Sequence, residues 1–312
     1  MSATTAIIRP KAGRNGGLDL LRLVAMALVV LQHGFTVVDH YDWTTVVLPG
    51  ITLGQFGVSI FCAISGWYAL AGDQPPLAWL IARLTKLYPA FWIATLFAFG
   101  LAMAMGRPIT AGLFLSQMAG TGFFTHGWDL INVVSWFISL ILLCYGLSTL
   151  ARWTGRPVFV MGLIFAGVVA LVALQIEIAL SRHVLAFAAA AILGRTQRAV
   201  LLPIVALGLL PFMFFQPSFI YAIAALPALW IARNGIRLEA RIVSLAAAST
   251  YEFFLLHGVF LAGAAKLTSS PILVIAIGVA CSIPGALLLN RAAAILCAAA
   301  KLIRPLRWRA AA

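Results

Sequence analysis

An arginine and a histidine, Arg22 and His33, lie inside the first long apolar stretch of the chain, LDLLRLVAMALVVLQHGF. Eleven residues of α-helix turn through about 1100°, roughly 20° past three full turns, so the two side chains share one helix face. They are about 16 Å apart along the helix axis, which is about half the hydrocarbon thickness of a membrane. Ionisable groups at that depth are costly and usually mark a polar pathway or a reaction site.

The two side chains suit different parts of a group-transfer reaction. Arg22 could hold a phosphorylated donor, because a guanidinium makes bidentate hydrogen bonds to phosphate. His33 could act as a general base toward an acceptor hydroxyl, because imidazole takes up protons near neutral pH. A structural interpretation stays open, in which Arg22 reaches lipid headgroups and His33 bonds to another helix. Asp19, three residues before Arg22, could also simply neutralise the guanidinium.

A second basic pair, Arg83 and Lys86, occurs in RLTKLYPAFW after the second apolar stretch. Residues three apart share a helix face, so the two cations could form a second phosphate clamp or an ordinary cytoplasmic anchor. We expect Pro89 to begin the third span, because proline favours the first turn of a helix. Tyr88 suits the membrane interface and is an accessory candidate for the site.

A late apolar stretch, STYEFFLLHGVF, contains Glu252 and His257. The carboxylate could orient a histidine or pair with a cation, and both groups could equally be structural hydrogen-bonding partners between helices. At this spacing they point about 140° apart on one helix, so we expect no direct contact between them. The other histidines, His40, His126 and His183, are expected in outer loops, and only His126 is an acceptor-site candidate.

These residues must be positioned by membrane-spanning helices, because the chain is 63% hydrophobic and only 9% charged. The pattern predicts an all-α polytopic bundle of about ten transmembrane helices, forming one domain over residues 1–312. The predicted spans are 18–38, 50–71, 88–106, 131–150, 158–176, 184–195, 200–215, 217–232, 243–265 and 271–289.

The distribution of charge predicts the orientation of this bundle. With the amino terminus inside and an even number of crossings, both termini are cytoplasmic. Of the 21 basic residues, only Arg107, Arg182 and Lys266 then fall outside, and Arg22 lies within a span, as the positive-inside rule requires. The net charge of +13 is therefore interpreted as a topology signal and not as a sign of nucleic-acid binding.

The two ends of the chain are predicted to lie on the cytoplasmic side. Residues 1–16 form an amino-terminal segment, and the stretch that follows is predicted to be an uncleaved signal-anchor. Residues 291–312 form a basic segment or an amphipathic helix that favours contact with an anionic leaflet.

Several function classes are disfavoured by missing motifs. The sequence contains no P-loop, Gly-x-Ser-x-Gly elbow, HExxH motif or dinucleotide fingerprint, which counts against an energised pump, a serine hydrolase and a zinc protease. The four cysteines lie in apolar segments and support neither a disulfide framework nor a zinc site, so no metal is expected. They are Cys62, Cys144, Cys281 and Cys297.

Taken together, the motifs resemble those of the acyltransferase family 3 membrane proteins. LDLLRLVAMALVVLQH is similar to the family's arginine–ten residues–histidine signature, and VSIFCAISGWYAL to its apolar run ending in Ser-Gly-aromatic. RLTKLYPAFW resembles its basic–x–x–basic–x–Tyr-Pro segment, SWFISLILLCY its fourth-span motif, and STYEFFLLHGVF its late Ser/Thr-Tyr…Leu-Leu-His motif. The order and spacing of these motifs extend over nearly the whole chain.

Two departures from the family pattern bear on the site. Lys86 stands where the second arginine of the basic pair is usual, and lysine keeps the charge but loses the planar bidentate fork. The fourth-span motif lacks a glutamate that some members carry, so no role of that acid is transferred. There is also no SGNH hydrolase-like domain, which implies a stand-alone membrane acyltransferase.

The resemblance implies an acyl-CoA-dependent O-acyltransferase that modifies carbohydrates. Acyl-CoA, with acetyl-CoA as the default, would be the co-substrate, and its phosphates would be held by Arg22, Arg83 and Lys86. His33 would deprotonate a sugar hydroxyl or accept the acyl group itself. The accessory candidates are Asp19, Tyr88, Glu252 and His257.

The implied partners are a carbohydrate or glycolipid acceptor, membrane lipids and glycan-assembly proteins, with no nucleic acid. The implied location is the bacterial inner membrane. Two other classes stay open: a multi-pass exporter or flippase with Arg22, His33 and Glu252 along a polar path, and a non-catalytic scaffold for glycan assembly. Consumption of acyl-CoA distinguishes the enzyme from both.

Overall fold

The computed structural model describes residues 15–45, 51–238 and 240–303, with side chains through residue 299. Within these ranges the chain is all-α, apart from an isolated bridge between Thr45 and Thr52. The described helices are α1 (Gly16–Thr36), α2 (Leu53–Trp67), α3 (Pro76–Ala104), α4 (Ala111–Met118), α5 (Gly122–His126), α6 (Trp136–Trp153), α7 (Pro157–Ala173), α8 (Ser181–Thr196), α9 (Leu201–Leu209), α10 (Ile220–Asn234), α11 (Arg241–Ala248), α12 (Thr250–Ala265) and α13 (Pro271–Ile303).

The long apolar helices give the chain the character of a helical membrane protein. Each predicted span overlaps one helix or two consecutive helices. The bent pair α11–α12, with an angle of 62°, is a further candidate span beside the straight ones. Ten crossings and cytoplasmic termini remain predictions. Within the described ranges, the four stretches long and apolar enough to cross a membrane are Gly16–Thr36, Pro76–Ala104, Val133–Trp153 and Pro271–Ala299.

The predicted terminal segments are only partly described. α13 continues through residue 303, so the first part of the predicted segment 291–312 extends the last helix. Residues 1–14, which make up most of the predicted amino-terminal segment, lie outside the described residues, as do residues 304–312.

The prediction that Pro89 begins the third helix was wrong. α3 begins at Pro76, with Pro75 before it, and Pro89 lies in the helix interior. A proline in the first turn loses no helical hydrogen bond, whereas an internal proline removes one. Here Pro89 is tolerated within a helix of 29 residues. Arg83 and Lys86 therefore lie on the same continuous helix as the apolar segment that follows them.

Small residues bring α2 close to α8 and α1. A Cβ atom added at Gly66 would lie 2.2 Å from the carbonyl oxygen of Phe187, and one at Gly57 would lie 2.4 Å from that of Ala25. Glycine at such positions lets membrane helices pack backbone against backbone. α2 is thereby held between α1 and α8, and this arrangement positions the polar side chains of all three helices.

This contact leads to a stability prediction for Gly66→Ala. The added methyl group overlaps the Phe187 carbonyl oxygen, so α2 must move away from α8, at a cost of about 1–3 kcal/mol. We expect a lower thermal unfolding midpoint for purified protein in detergent. Gly146→Ala is the matched control, because nothing lies within 4 Å of a Cβ atom there. Equal midpoints for the two variants would contradict the proposed contact.

Candidate functional site

A pair of histidines joins α1 to α12. His33 Nδ1 lies 2.7 Å from His257 Nε2, and His257 Nδ1 lies 2.7 Å from the carbonyl oxygen of Phe254. His257 is only 1% exposed, while His33 is half-buried. The two rings are nearly parallel, with centroids 5.0 Å apart. Two histidines that are 224 positions apart in the sequence are thus joined by a hydrogen bond.

The chemistry of the partners assigns the protons of this pair. The Phe254 carbonyl can only accept, so His257 Nδ1 donates to it, and an uncharged His257 accepts at Nε2. His33 Nδ1–H then donates to His257, which leaves His33 Nε2 with its lone pair. When His33 Nε2 takes up a proton, the bond to His257 is kept. The pair is therefore arranged to present one basic nitrogen in a fixed orientation.

His33 lies where two cavities meet. The first, which we call the wide cavity, measures about 560 Å³ and is also lined by Asn132, Arg107 and Lys266. The second, the narrow cavity, is lined by His33, Gln32, Gln55, Trp136 and Phe254 among others. The half-buried imidazole therefore borders both cavities, and the narrow one has room for only about one water-sized group.

Arg22 lines a third cavity, the arginine cavity, of about 220 Å³. Its Nη1 atom lies 2.6 Å from Oδ1 of Asp19, whose side chain is completely buried. Ser244 Oγ donates to the other carboxylate oxygen at 3.3 Å. The predicted Asp19–Arg22 pairing is confirmed. A guanidinium has five N–H donors, so this ion pair leaves others for a ligand in the cavity.

Three phenylalanine side chains line the arginine cavity. Phe61, Phe137 and Phe254 contact one another, with ring centroids 5.0 to 6.4 Å apart. Phe254 lines both the arginine cavity and the narrow cavity. A ligand that extends from Arg22 to His33 would therefore pass this side chain.

The second basic pair lies beside the arginine cavity and does not line it. Arg83 is half-buried with its guanidinium 5.3 Å from the ring centre of Trp79, and Lys86 is exposed. Arg83 lies within electrostatic reach of Tyr145, which does line the cavity. Arg152 approaches the same Trp79 ring at 5.0 Å. The sequence analysis did not single out Arg152, because a basic residue at the end of a span is usually interpreted as a cytoplasmic membrane anchor.

Two accessory candidates have other partners. The Tyr88 hydroxyl donates to the carbonyl oxygen of Ala119 at 2.7 Å, which ties α3 to the end of α4. Glu252 lies close to Asn290 on α13, and its Oε2 atom has no hydrogen-bond partner among the described residues. Glu252 and His257 are thus not hydrogen-bonded to each other, as the helical spacing predicted.

The prediction that His183 lies in a loop was wrong. His183 is in the first turn of α8 and is fully buried, with Nδ1 2.8 Å from Ser59 Oγ. Its Nε2 lies 2.7 Å from Oε1 of Gln55, a residue that sequence reasoning missed because a single amide carries no distinctive pattern. His126 ends the short helix α5, where Nδ1 contacts Thr125 Oγ1 at 2.8 Å, and it lines none of the three cavities.

The fold and the site together indicate a helical membrane protein. Its hydrogen-bonded imidazole pair lies beside cavities that suit a group-transfer reaction. A family model described as an acyltransferase domain matches residues 15–291, which is most of the chain. The chain belongs to acyltransferase family 3 and is an acyltransferase. No curated protein and no solved structure matches it.

Proposed function

We propose that the chain is an acyl-CoA-dependent O-acyltransferase of the bacterial inner membrane. It transfers an acyl group, by default acetyl, to a hydroxyl of a carbohydrate or lipid-linked glycan. The observation that carries this proposal is the position of His33 at the junction of the wide and narrow cavities. The acceptor then reaches His33 from the wide cavity, while the narrow cavity, with room for about one water-sized group, takes only the carbonyl oxygen of the donor thioester.

The donor occupies the arginine cavity and extends toward the narrow cavity. The phosphates of acyl-CoA bind Arg22, and Arg83 and Lys86 add positive charge nearby. The pantetheine arm passes Phe254, which lines both cavities. The axial distance of about 16 Å between Arg22 and His33 suits an extended arm of this kind.

The acceptor hydroxyl enters the wide cavity and meets the thioester beside His33. His33 Nε2 takes the hydroxyl proton while the oxygen attacks the carbonyl carbon. The tetrahedral intermediate then collapses, the carbon–sulfur bond breaks, and the CoA sulfur receives the proton. In a covalent variant, Nε2 first attacks the carbonyl carbon and CoA leaves as the thiolate; the hydroxyl oxygen then displaces Nε2 from the acyl group, and the hydroxyl proton passes to the thiolate or to the freed Nε2. Release of CoA in a burst without acceptor would support that variant.

The function is tested by incubating purified protein with labelled acetyl-CoA and a pool of bacterial glycolipids. We expect label to move to a glycolipid and the movement to require His33. Acetyl-CoA binding is measured alongside, so that a missing acceptor is distinguished from a missing donor site. Accumulation of a glycan in vesicles without acetyl-CoA consumption would contradict the proposal and favour an exporter.

Arg22 variants test the donor site. For Arg22→Lys we expect KM for acetyl-CoA to rise about 10-fold with little change in kcat, because lysine loses the bidentate fork. For Arg22→Gln we expect a rise of about 100-fold, within the range for a hydrogen bond to a charged group. Steady-state kinetics with acetyl-CoA as the varied substrate gives both values.

The control for these variants concerns Asp19. Removing the guanidinium takes one partner from the buried Asp19 carboxylate, which destabilises the protein. The double variant Asp19→Asn/Arg22→Gln removes that penalty and should keep the raised KM. The exposed Arg156 provides an unrelated control, Arg156→Gln. A normal KM in the folded double variant would contradict the role given to Arg22.

A further inference from the structure

Two glutamine side chains line the narrow cavity together with His33. Gln32 precedes His33 on α1, and Gln55 lies on α2. Gln32 is only 7% exposed. Neither residue belongs to the arginine–histidine signature or to the basic pair, and the mechanism above gives them no task.

The orientation of the Gln55 amide is fixed by two donors. Gln55 Oε1 lies 2.9 Å from Arg182 Nη2 and 2.7 Å from His183 Nε2. A guanidinium can only donate, so the atom that it meets is the amide oxygen. His183 then donates at Nε2 and accepts at Nδ1 from the Ser59 hydroxyl, 2.8 Å away. Because the amide oxygen accepts both hydrogen bonds, the NH₂ group of Gln55 points away from Arg182 and His183.

The Gln32 amide is fixed in a similar way. Its Oε1 atom accepts the backbone N–H of Gly54 at 2.6 Å. A backbone N–H can only donate, so the oxygen is again identified by chemistry. Gly54 is needed for this approach, because a Cβ atom there would lie 2.6 Å from the same oxygen.

Both amide nitrogens remain available for a ligand. Among the described residues, neither Gln32 Nε2 nor Gln55 Nε2 has a hydrogen-bond partner. Neither nitrogen is among the completely buried polar atoms that lack a partner, so both border open space in which an acceptor atom of a ligand can bind. The cavity that they share with the basic histidine is where the thioester carbonyl is expected.

We propose that Gln32 and Gln55 form the oxyanion site of the acyltransferase. This inference rests on the proposed function, because it needs a thioester beside His33. When the nucleophile bonds to the carbonyl carbon, the π electron pair moves to the carbonyl oxygen, and the two NH₂ groups donate hydrogen bonds to that oxyanion. No proton leaves either glutamine. On collapse the carbonyl re-forms and the sulfur leaves with the electron pair of the carbon–sulfur bond.

The surrounding groups make these donors effective. Donors that are already oriented before the reaction need no reorganisation in the transition state. The positive charge of Arg182 acts on the oxygen of Gln55 and strengthens its N–H groups as donors. Arg182 and His183 are thus positioning residues, while Gln32 and Gln55 contact the substrate.

The test replaces each glutamine by glutamate. Gln55→Glu and Gln32→Glu keep size and the anchoring oxygen but replace the NH₂ group by an acceptor. We expect kcat with acetyl-CoA to fall about 100-fold in each, the lower end of the effect of losing one oxyanion donor. KM for acetyl-CoA should stay close to wild type. The thermal midpoint should stay close to wild type for Gln55→Glu, whose carboxylate keeps Arg182 as a partner, whereas Gln32→Glu buries a carboxylate without a cation and should lower it. Gln55→Met and Gln32→Met, which add no charge, should show the same loss of kcat.

A second readout separates an oxyanion site from a structural role. The ratio of kcat for acetyl-CoA to kcat for its dithioester analogue measures preference for oxygen over sulfur at the carbonyl position. Wild type should show a high ratio, and the glutamine variants should lose it. The matched control is Gln216→Glu, since Gln216 Oε1 also accepts from a neighbour, Ser218, but lines none of the three cavities.

The outcomes are distinguishable. If wild type transfers acetyl groups and the glutamine variants keep kcat within about threefold, this inference fails and the proposed function stands. If both the glutamate and the methionine variant of one glutamine unfold at a clearly lower thermal midpoint than wild type, the role of that glutamine is structural and the inference fails. If wild type neither binds nor consumes acetyl-CoA, the proposed function fails and takes this inference with it.

Discussion

His33→Ala is expected to lower kcat for acyl transfer by about 10⁴-fold, the upper end of the contribution of a positioned acid–base group. Nε2 of His33 is the nitrogen that the hydrogen-bonded pair leaves with a lone pair, and the His33 residue lines both the wide and the narrow cavity. We do not expect His257 to replace it, because His257 lines neither of these cavities. The measurement is transfer of label from saturating acetyl-CoA to the glycolipid pool.

Binding of acetyl-CoA is the internal control for His33→Ala. The arginine cavity does not include His33, so the dissociation constant for acetyl-CoA should change little. His40→Ala, which removes an imidazole near the end of the same helix, should keep full activity. Full transferase activity in well-folded His33→Ala protein would rule out both the general-base and the acyl-histidine routes.

His257→Leu is expected to lower kcat by about 10³-fold without a comparable rise in KM. The substitution removes the acceptor for His33 Nδ1–H, so the imidazole of His33 loses its fixed tautomer and orientation. In a Ser-His-Asp triad, a wrong histidine tautomer costs about 10⁴-fold in kcat. A neutral partner holds the ring less strongly than a carboxylate does, so we expect a somewhat smaller effect here. Steady-state kinetics gives kcat and KM separately.

His257→Gln tests whether His257 matters as the hydrogen-bond acceptor for His33 or only because its side chain fills space. The glutamine oxygen can accept from His33 Nδ1–H, so this variant should keep at least 10-fold more activity than the leucine variant. Leucine and glutamine at this position should give similar acetyl-CoA binding. Equal kcat values for the two variants would show that His257 serves packing and not orientation.

Much of the helical framework could be predicted from the sequence. Long apolar runs separated by polar residues are local features, and each predicted span overlaps a helix or a helix pair. The Asp19–Arg22 ion pair was predictable for the same reason, since both residues lie within one helical turn. The error at Pro89 shows the limit of such reasoning, because packing can stabilise a helix that contains an internal proline.

The sequence by itself determined that Arg22 and His33 share a face of one apolar helix, because helical periodicity fixes that relation within a single element. Only the tertiary structure decided what faces them. It brings His257 to His33 across 224 residues and Gln55 to Arg182 across 127. Such contacts depend on the rotation and depth of each helix. Those are set by close packing at positions such as Gly57 and Gly66, and no periodicity along one helix specifies which faces will meet.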